Sequence, residues 1–154
     1  MMREEHNITI QPARPHHIPD ILALNNALNG PGLSTAQHMA ASLQQNKNEI
    51  VLVAVHNNKV VGFICGQLFS SICYANHLQC EITELMVDEN YRRAGIATML
   101  IEHIEQEFAR HNITEITVAT GKANVNAQKL YDKCGYEYRR MTYLKPYPSS
   151  CDGR

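Results

Sequence analysis

Apolar residues recur along this chain with two periods, and the changes of period divide it into elements. Ile8 and Ile10 alternate with polar neighbours, the repeat of a short strand with one buried face. Ile18, Ile21, Leu22 and Leu28 then follow helical spacing, with Pro19 suited to the first turn and Gly30 to the stop. A second helix carries Met39, Ala40 and Leu43 on one face, and Ser34 and Gln37 stand at capping-box spacing before it. Ile50 to Val55 is an unbroken aliphatic run, which predicts a strand buried on both faces. Asn57 and Asn58 tolerate left-handed backbone and predict a hairpin turn. Val60 to Phe69 is the returning strand, Ser70 to Leu78 reads as a loop, and Glu81 to Val87 as the next strand.

The plainest helix follows. Ile96, Met99, Leu100, Ile104 and Phe108 lie on one stripe. Ile116 to Ala119 is expected to be a strand. Ala127, Leu130, Tyr131 and Cys134 form a further helical stripe stopped by Gly135, and Tyr138 to Leu144 is expected to close the sheet as a last strand. The order is β-α-α-β-β-β-α-β-α-β. Three consecutive strands can pair antiparallel, whereas the later βαβ crossover requires a parallel pair, so the expected class is α/β with a mixed sheet.

Composition narrows the picture without naming a chemistry. The chain has 154 residues, 44% hydrophobic and 19% charged, which suits one globular domain. A net charge of −1 predicts no strong field for nucleic acid or an anionic membrane surface. Met1 to Asn7 lacks the apolar core of a secretory signal, and no run approaches a membrane span. Five cysteines without a regular framework suit a reducing compartment, so a cytoplasmic location is expected. His77 and Cys80 have no second pair at ligand spacing, and no metal is expected.

The informative stretch is Glu81 to Ala97, EITELMVDENYRRAGIA, a strand running through a turn into a helix. A helix start presents unpaired backbone N–H groups and the positive end of a dipole. Arg92 and Arg93 add charge beside it, Gly95 permits close backbone approach, and Ala97 keeps the wall small. That combination suits a pyrophosphate, although a basic turn capped by a helix has the same pattern.

Arg92 to Ala97, RRAGIA, resembles the Q/R-x-x-G-x-G/A signature of the GNAT superfamily of N-acetyltransferases. The preceding ITELMVDENYR resembles that family's fourth strand and loop. Asn124 to Glu137, NVNAQKLYDKCGYE, resembles its N-x-x-A-x-x-x-Y-x-x-x-G-Y/F element. The resemblance implies a mixed sheet of six to seven strands with about four helices, splayed between the fourth and fifth strands. It implies one acetyltransferase domain over 1–145 with a tail over 146–154, and acetyl-CoA as cosubstrate. By position, the loop Arg92, Arg93, Ala94, Gly95, Ile96 and Ala97 holds the pyrophosphate and Thr98 adds a hydroxyl. Leu85, Met86 and Val87 pair with the pantetheine arm as an added strand would, and Asn124 contacts the arm. Two departures, Asp88-Glu89 near a frequent proline and Ala94 at a frequent lysine or glutamine, remove no backbone donor.

The resemblance also implies an acetyl transfer to an amine, which must lose a proton before it attacks; a primary amine has a pKa of about 10. Glu81 matches the general base of histone-modifying members. Glu84 matches an acidic position of some small-molecule-modifying members, beside the expected bulge, and is the preferred base. Residues three apart on a regular strand face opposite ways, so only one of the two meets the acceptor unless a bulge re-aims a side chain. Tyr131 matches the general acid that protonates the leaving thiolate, and a backbone N–H near Met86 is suited to the developing oxyanion. Cys134, with no histidine motif to activate it, reads as packing.

A non-catalytic acyl-CoA-binding sensor on the same fold is the alternative, and the presence of Tyr131 with both glutamates disfavours it. Arg92 to Ile101 is similar to aminoglycoside 3-N-acetyltransferases, but this lies in the shared cofactor region and leaves protein, polyamine and antibiotic amines all open as acceptors. Family members line the acceptor pocket with the segments matching Asn25 to Gln37, Ser70 to Gln79 and Arg139 to Tyr143. Edge strands and the apolar late strand suit a homodimer.

Overall fold

The computed structural model describes residues 7–148. The elements are β1 (Thr9–Pro12), α1 (Ile18–Asn29), α2 (Ala36–Gln45), β2 (Glu49–His56), β3 (Lys59–Ser71), β4 (Tyr74–Val87), α3 (Ile96–Phe108), β5 (Ile113–Val118) and α4 (Val125–Lys133). Two single 3₁₀ turns, Pro15–His17 and Glu89–Tyr91, precede α1 and α3. The five strands form one sheet in sequence order. The first four pair antiparallel, and β4 pairs parallel with β5 across the α3 connection. This is the mixed α/β sheet expected from the chain order.

Register decides which residues share a face. On one side, Leu52 and Ala54 of β2, Ile64 and Leu68 of β3, and Cys80 and Ile82 of β4 pack on Ile96, Leu100, Ile104 and Phe108 of α3. Gly62 and Gly66 lie on this side, where a Cβ at Gly66 would sit 2.4 Å from Phe108 Cζ. On the other side, Val53, Phe63 and Met86 pack on Ile21 and Leu24 of α1. The middle of β2, Leu52 to Ala54, is buried as the aliphatic run predicts. Pro12 sits in the edge strand β1, where a missing donor is tolerated.

Local signals explain most boundaries. Pro19 occupies the first turn of α1 and Gly30 closes it. Asn57 and Asn58 adopt positive φ of 50° and 63° in the β2–β3 turn. The cap of α2 is Thr35, whose side chain accepts from the His38 N–H at 3.0 Å, and not Ser34. An N-cap needs an extended residue whose hydroxyl faces the first turn, and Thr35 has that geometry.

Three expectations are corrected. The sheet has five strands among the described residues, not six to seven. Tyr138 to Leu144 is not a strand: it joins no ladder among the described residues, and Tyr138, Met141, Tyr143 and Leu144 are exposed. Arg140 ties it to Glu115 of β5 through side chains instead, while Arg139 pairs locally with Glu137. Aromatic residues favour strands only where a ladder and a packing surface receive them. Ser70 to Leu78 is not a loop but the tip of a long hairpin, with β3 running to Ser71 and β4 starting at Tyr74. Polar Asn76 and His77 hid this, because backbone ladder bonds do not require apolar side chains where a strand end meets solvent. The expected tail, 146–154, lies outside the described residues from 149 onward.

Candidate active site

The end of β4 and the start of α3 build a concave site. A cavity of about 280 Å³ is lined by Val87, Tyr91, Arg92, Arg93, Gly95, Ile96, Ala97, Thr98, Leu130 and Lys133. Gly95 caps α3 in left-handed backbone, with φ of 77°. Arg93 is also left-handed, at φ 66°, an uncommon state for a residue with a Cβ. Left-handed residues alternating with ordinary ones turn backbone N–H groups into an anion-holding concavity. No side chain caps the helix start. The first helical bond is Met99 N–H to the Gly95 carbonyl, which leaves the donors of Ile96, Ala97 and Thr98 for a ligand. Nothing lies within 4 Å of a Cβ built on Gly95, so the approach to this backbone is open.

β4 supplies an edge beside that cavity. Its pairing with β3 continues to Val87, but its parallel pairing with β5 ends at Ile82↔Val118. From Thr83 to Val87 the strand therefore has no partner on the β5 side among the described residues. This is the splay between the fourth and fifth strands, and it gives an extended ligand a ladder to join. Leu85 and Val87 point toward the α3 face and Met86 toward the α1 face.

The two glutamates meet on one face. Cys65 pairs with Glu84 and Gly66 with Ile82, so Thr83 is an extra residue on β4. Glu81 then pairs with Gln67, two residues from Cys65. The bulge thus brings Glu81 and Glu84 to the same side, the side that α1 covers further along at Met86. Thr83 anchors it by donating its hydroxyl to the Cys65 carbonyl at 3.2 Å. Glu84 is exposed and Glu81 half-buried, and neither is in an ion pair among the described residues. Burial first, then the charges of Glu49 and Glu84, hold the Cys65 thiol well above its ordinary range.

α4 carries the remaining candidates. Tyr131 is half-buried against the α3-side core, with its ring edge-on to Tyr136 at 5.9 Å. Burial raises its pKa, with Cys134 adding to the shift, so the phenol is held protonated. Asn124 is the N-cap of α4: its side-chain oxygen accepts from the Ala127 N–H at 3.1 Å. Ala94 and Asn124 do not line the cavity. Burial, followed by Glu105 and Glu102, raises the Cys134 thiol, and an un-ionised thiol is a poor nucleophile.

Sequence reasoning missed Tyr91, Leu130 and Lys133 in the cavity wall. Leu130 and Lys133 lie three apart on α4, one face of a helix, so the spacing from Leu130 was the signal that could have found Lys133. The Tyr91 hydroxyl lies 2.9 Å from His56 Nδ1, tying the turn before α3 to the end of β2. No group of three or more potential metal ligands occurs among the described residues.

The comparisons with known proteins agree with this geometry. The model of the acetyltransferase (GNAT) family matches residues 21–136. The chain belongs to that family. The matched span runs from α1 through Tyr136. An N-alpha-acetyltransferase of Saccharolobus solfataricus is 28% identical over 150 residues, covering 92% of this chain and 86% of that protein. The cysteine-rich protein 2-binding protein of Mus musculus is 28% identical over 138 residues; this chain spans 16% of its length. Among solved structures, an aminoglycoside acetyltransferase from an uncultured soil metagenomic sample superposes with a TM-score of 0.79 at 21% identity, over 92% of this chain and 97% of that one. An aminoglycoside antibiotic 6'-N-acetyltransferase from Acinetobacter baumannii gives 0.75 at 21% identity, over 93% and 100%. These likenesses show the fold.

Proposed function

We propose that this enzyme transfers an acetyl group from acetyl-CoA to a primary amine, by direct attack with both substrates held together. The observation that carries the reading is the break in pairing between β4 and β5 at Ile82↔Val118, which opens one strand edge between the uncapped start of α3 and two carboxylates. The residues present fit a pyrophosphate and an extended arm: free helix-start donors, Arg92, Arg93 and Lys133, and the edge of Leu85, Met86 and Val87. Acetyl-CoA supplies the activated thioester. The chain supplies position and proton movement.

In this reading Glu84, with Glu81 as the second carboxylate, removes a proton from the acceptor amine, directly or through water. A backbone N–H near Met86, that of Leu85 or Val87, faces charge developing on the carbonyl oxygen. The ladder continued by Asp88 N–H to the Val61 carbonyl turns Met86's own N–H toward Phe63. Tyr131 gives a proton to the departing sulfur, a role suited to a phenol that burial keeps protonated. Thr98 adds a hydroxyl in the cavity and Asn124 borders the arm through its remaining amide donors.

The solved structures of similar fold include aminoglycoside acetyltransferases, one of them in complex with sisomicin, and one relative is an N-alpha-acetyltransferase. We take a small amine such as an aminoglycoside as the first candidate, because Glu81 and Glu84 stand free to meet a cationic acceptor. Four free cysteines among the described residues suit a reducing compartment, and we assign the enzyme to the cytoplasm. The open β5 edge and the exposed Tyr138, Met141 and Tyr143 favour a homodimer.

Thiol release from acetyl-CoA tests the proposal, with sisomicin, spermidine and a peptide bearing a free α-amine as acceptors. Turnover with at least one is expected. Tight acetyl-CoA binding with no turnover on any of a broad amine panel would favour the acyl-CoA sensor instead.

A further inference from the structure

The α1 face of the sheet changes character halfway along. Where α1 lies over it, the face is Val53, Phe63 and Met86. Beyond, the same rows continue as Glu49 on β2, Gln67 on β3 and Glu81 on β4, which stand side by side in register. Glu49 and Gln67 are not free. Glu49 Oε1 accepts from the Ser42 hydroxyl of α2 at 3.1 Å, and Glu49 Oε2 accepts from Gln67 Nε2 at 2.9 Å.

That second bond fixes an otherwise ambiguous group. A glutamine side chain has a donor end and an acceptor end that occupy nearly the same shape, and either end can face a neighbour that both donates and accepts. A carboxylate only accepts. Glu49 therefore forces the NH₂ of Gln67 toward β2 and turns the carbonyl oxygen away from it. No protein donor among the described residues takes that oxygen, and it is not a buried unsatisfied atom, so it remains accessible to a ligand.

We propose that Gln67 is an acceptor-binding residue whose carbonyl oxygen takes a hydrogen bond from the incoming amine, and that Glu49, itself braced by Ser42, is the positioning residue that orients it. The inference rests on the reading of the α1 face as the acceptor side. An amine attacking from this face needs its lone pair aimed at the thioester and its N–H bonds directed elsewhere. A carboxylate at Glu84 or Glu81 takes one N–H, and the oriented amide oxygen of Gln67, opposite Glu81 and two residues beyond the partner of Glu84, takes another. A flipped amide would present N–H against N–H and repel the same amine, so orientation matters more here than polarity alone.

Steady-state kinetics on a double-mutant cycle of Glu49→Gln and Gln67→Met tests this, using whichever of sisomicin, spermidine and the free-amine peptide turns over fastest. Glutamine at 49 can face Gln67 with either end, so orientation is lost while shape is kept. Each single variant should raise KM for the amine by about 3- to 10-fold, the worth of one hydrogen bond. kcat should move less, and acetyl-CoA affinity by calorimetry should stay at the wild-type value, which also shows that the variants are folded. The double variant should be no worse than Gln67→Met alone. If the two effects multiply, Glu49 acts through its charge and not through Gln67, and the assignment is wrong. An unchanged KM in Gln67→Met overturns it as well. Failure of the wild-type protein to acetylate any amine is a different result: it overturns the acetyltransferase reading, and this assignment with it.

Discussion

The start of α3 and the polar half of the α1 face adjoin the same strand, β4, yet they are built in opposite ways. The first is contiguous. Arg92, Arg93, Gly95, Ile96, Ala97 and Thr98 come from one turn and one helix start, and most of its binding groups are backbone donors. The second is assembled from three strands and a helix. Glu49, Gln67, Glu81 and Glu84 become neighbours only through two antiparallel registers and one bulge. A contiguous backbone site tolerates change in side chains but not in backbone conformation. An assembled site responds the other way, since each carboxylate or amide is replaceable without touching the fold that aligned it.

The largest expected effect tests the contiguous half. Gly95→Trp places a bulky side chain where φ is 77° and where the space above the backbone is open. Left-handed backbone costs a residue with a Cβ about 1–2 kcal/mol, and the ring would fill the approach that a phosphate needs. Acetyl-CoA binding by calorimetry should vanish. Normal binding by this variant would show that the anion does not sit on this backbone. By contrast Ala94→Lys, in the same loop but outside the cavity wall, should bind acetyl-CoA at least as well as wild type.

Tyr131 of α4 and the two glutamates of the assembled half should fail in kcat and not in cofactor affinity. Tyr131→Phe removes a proton donor and should cut turnover by about 10- to 1000-fold with acetyl-CoA binding retained. Its phenol is raised by burial, so the donor stays loaded as pH rises through neutrality, and loss of activity on the alkaline side should begin only above the ordinary tyrosine range. Glu84→Gln should lower kcat by about 100-fold and recover part of it at higher pH, where more of the amine is already neutral. Glu81→Gln should do less. A pH–rate profile of both variants decides the order; a larger loss and alkaline recovery for Glu81→Gln would reverse the two roles.

The same contrast explains what could be read from the sequence. RRAGIA is legible because six adjacent residues carry the whole signal, and the stripe from Ile96 to Phe108 fixes the helix behind it. Glu81 and Glu84 were identifiable as residues but not as neighbours. Three positions apart on a strand means opposite faces, and only the extra Thr83 reverses that. Nothing in the local sequence of Glu49 or Gln67 points to the site, because a register between distant strands leaves no mark at either position. The hairpin tip at Ser71–Tyr74 was hidden by polarity, and the strand expected over Tyr138 to Leu144 failed because its apolar residues found no surface. In each case the missing information was tertiary: a partner strand present or absent.

A smaller effect tests whether the contiguous site depends on its foundation. α3 lies close on β3 because Gly66 has no side chain, and a Cβ there would meet Phe108 Cζ at 2.4 Å and Ile104 Cδ1 at 2.7 Å. Gly66→Ala should cost about 1–3 kcal/mol by overpacking. The melting temperature should fall by roughly 3–10 °C. Relief by lifting α3 would also move the helix start, so acetyl-CoA affinity should fall together with stability while KM for the amine holds. If the melting temperature drops with affinity intact, the helix start is held by its own turn and not by the sheet.

The smallest effect concerns a charged cavity residue that comes from outside the loop. Lys133 reaches the wall from the last turn of α4, where it joins Arg92 and Arg93 as a third cation. Its side chain is exposed, so its contribution to holding an anion is screened by water and salt. Lys133→Ala should weaken acetyl-CoA binding by only about 2- to 5-fold at low ionic strength, and the difference should shrink above roughly 0.5 M salt. Lys129, four residues earlier on the same helix and absent from the cavity wall, provides the control for general charge. Lys129→Ala should leave binding unchanged. Equal, salt-sensitive losses in the two variants would mean that α4 acts through net charge alone, and Lys133 would then have no place in the site; a loss confined to Lys133 makes the phosphate site a two-element construction after all, with its backbone from the loop and one of its charges from α4.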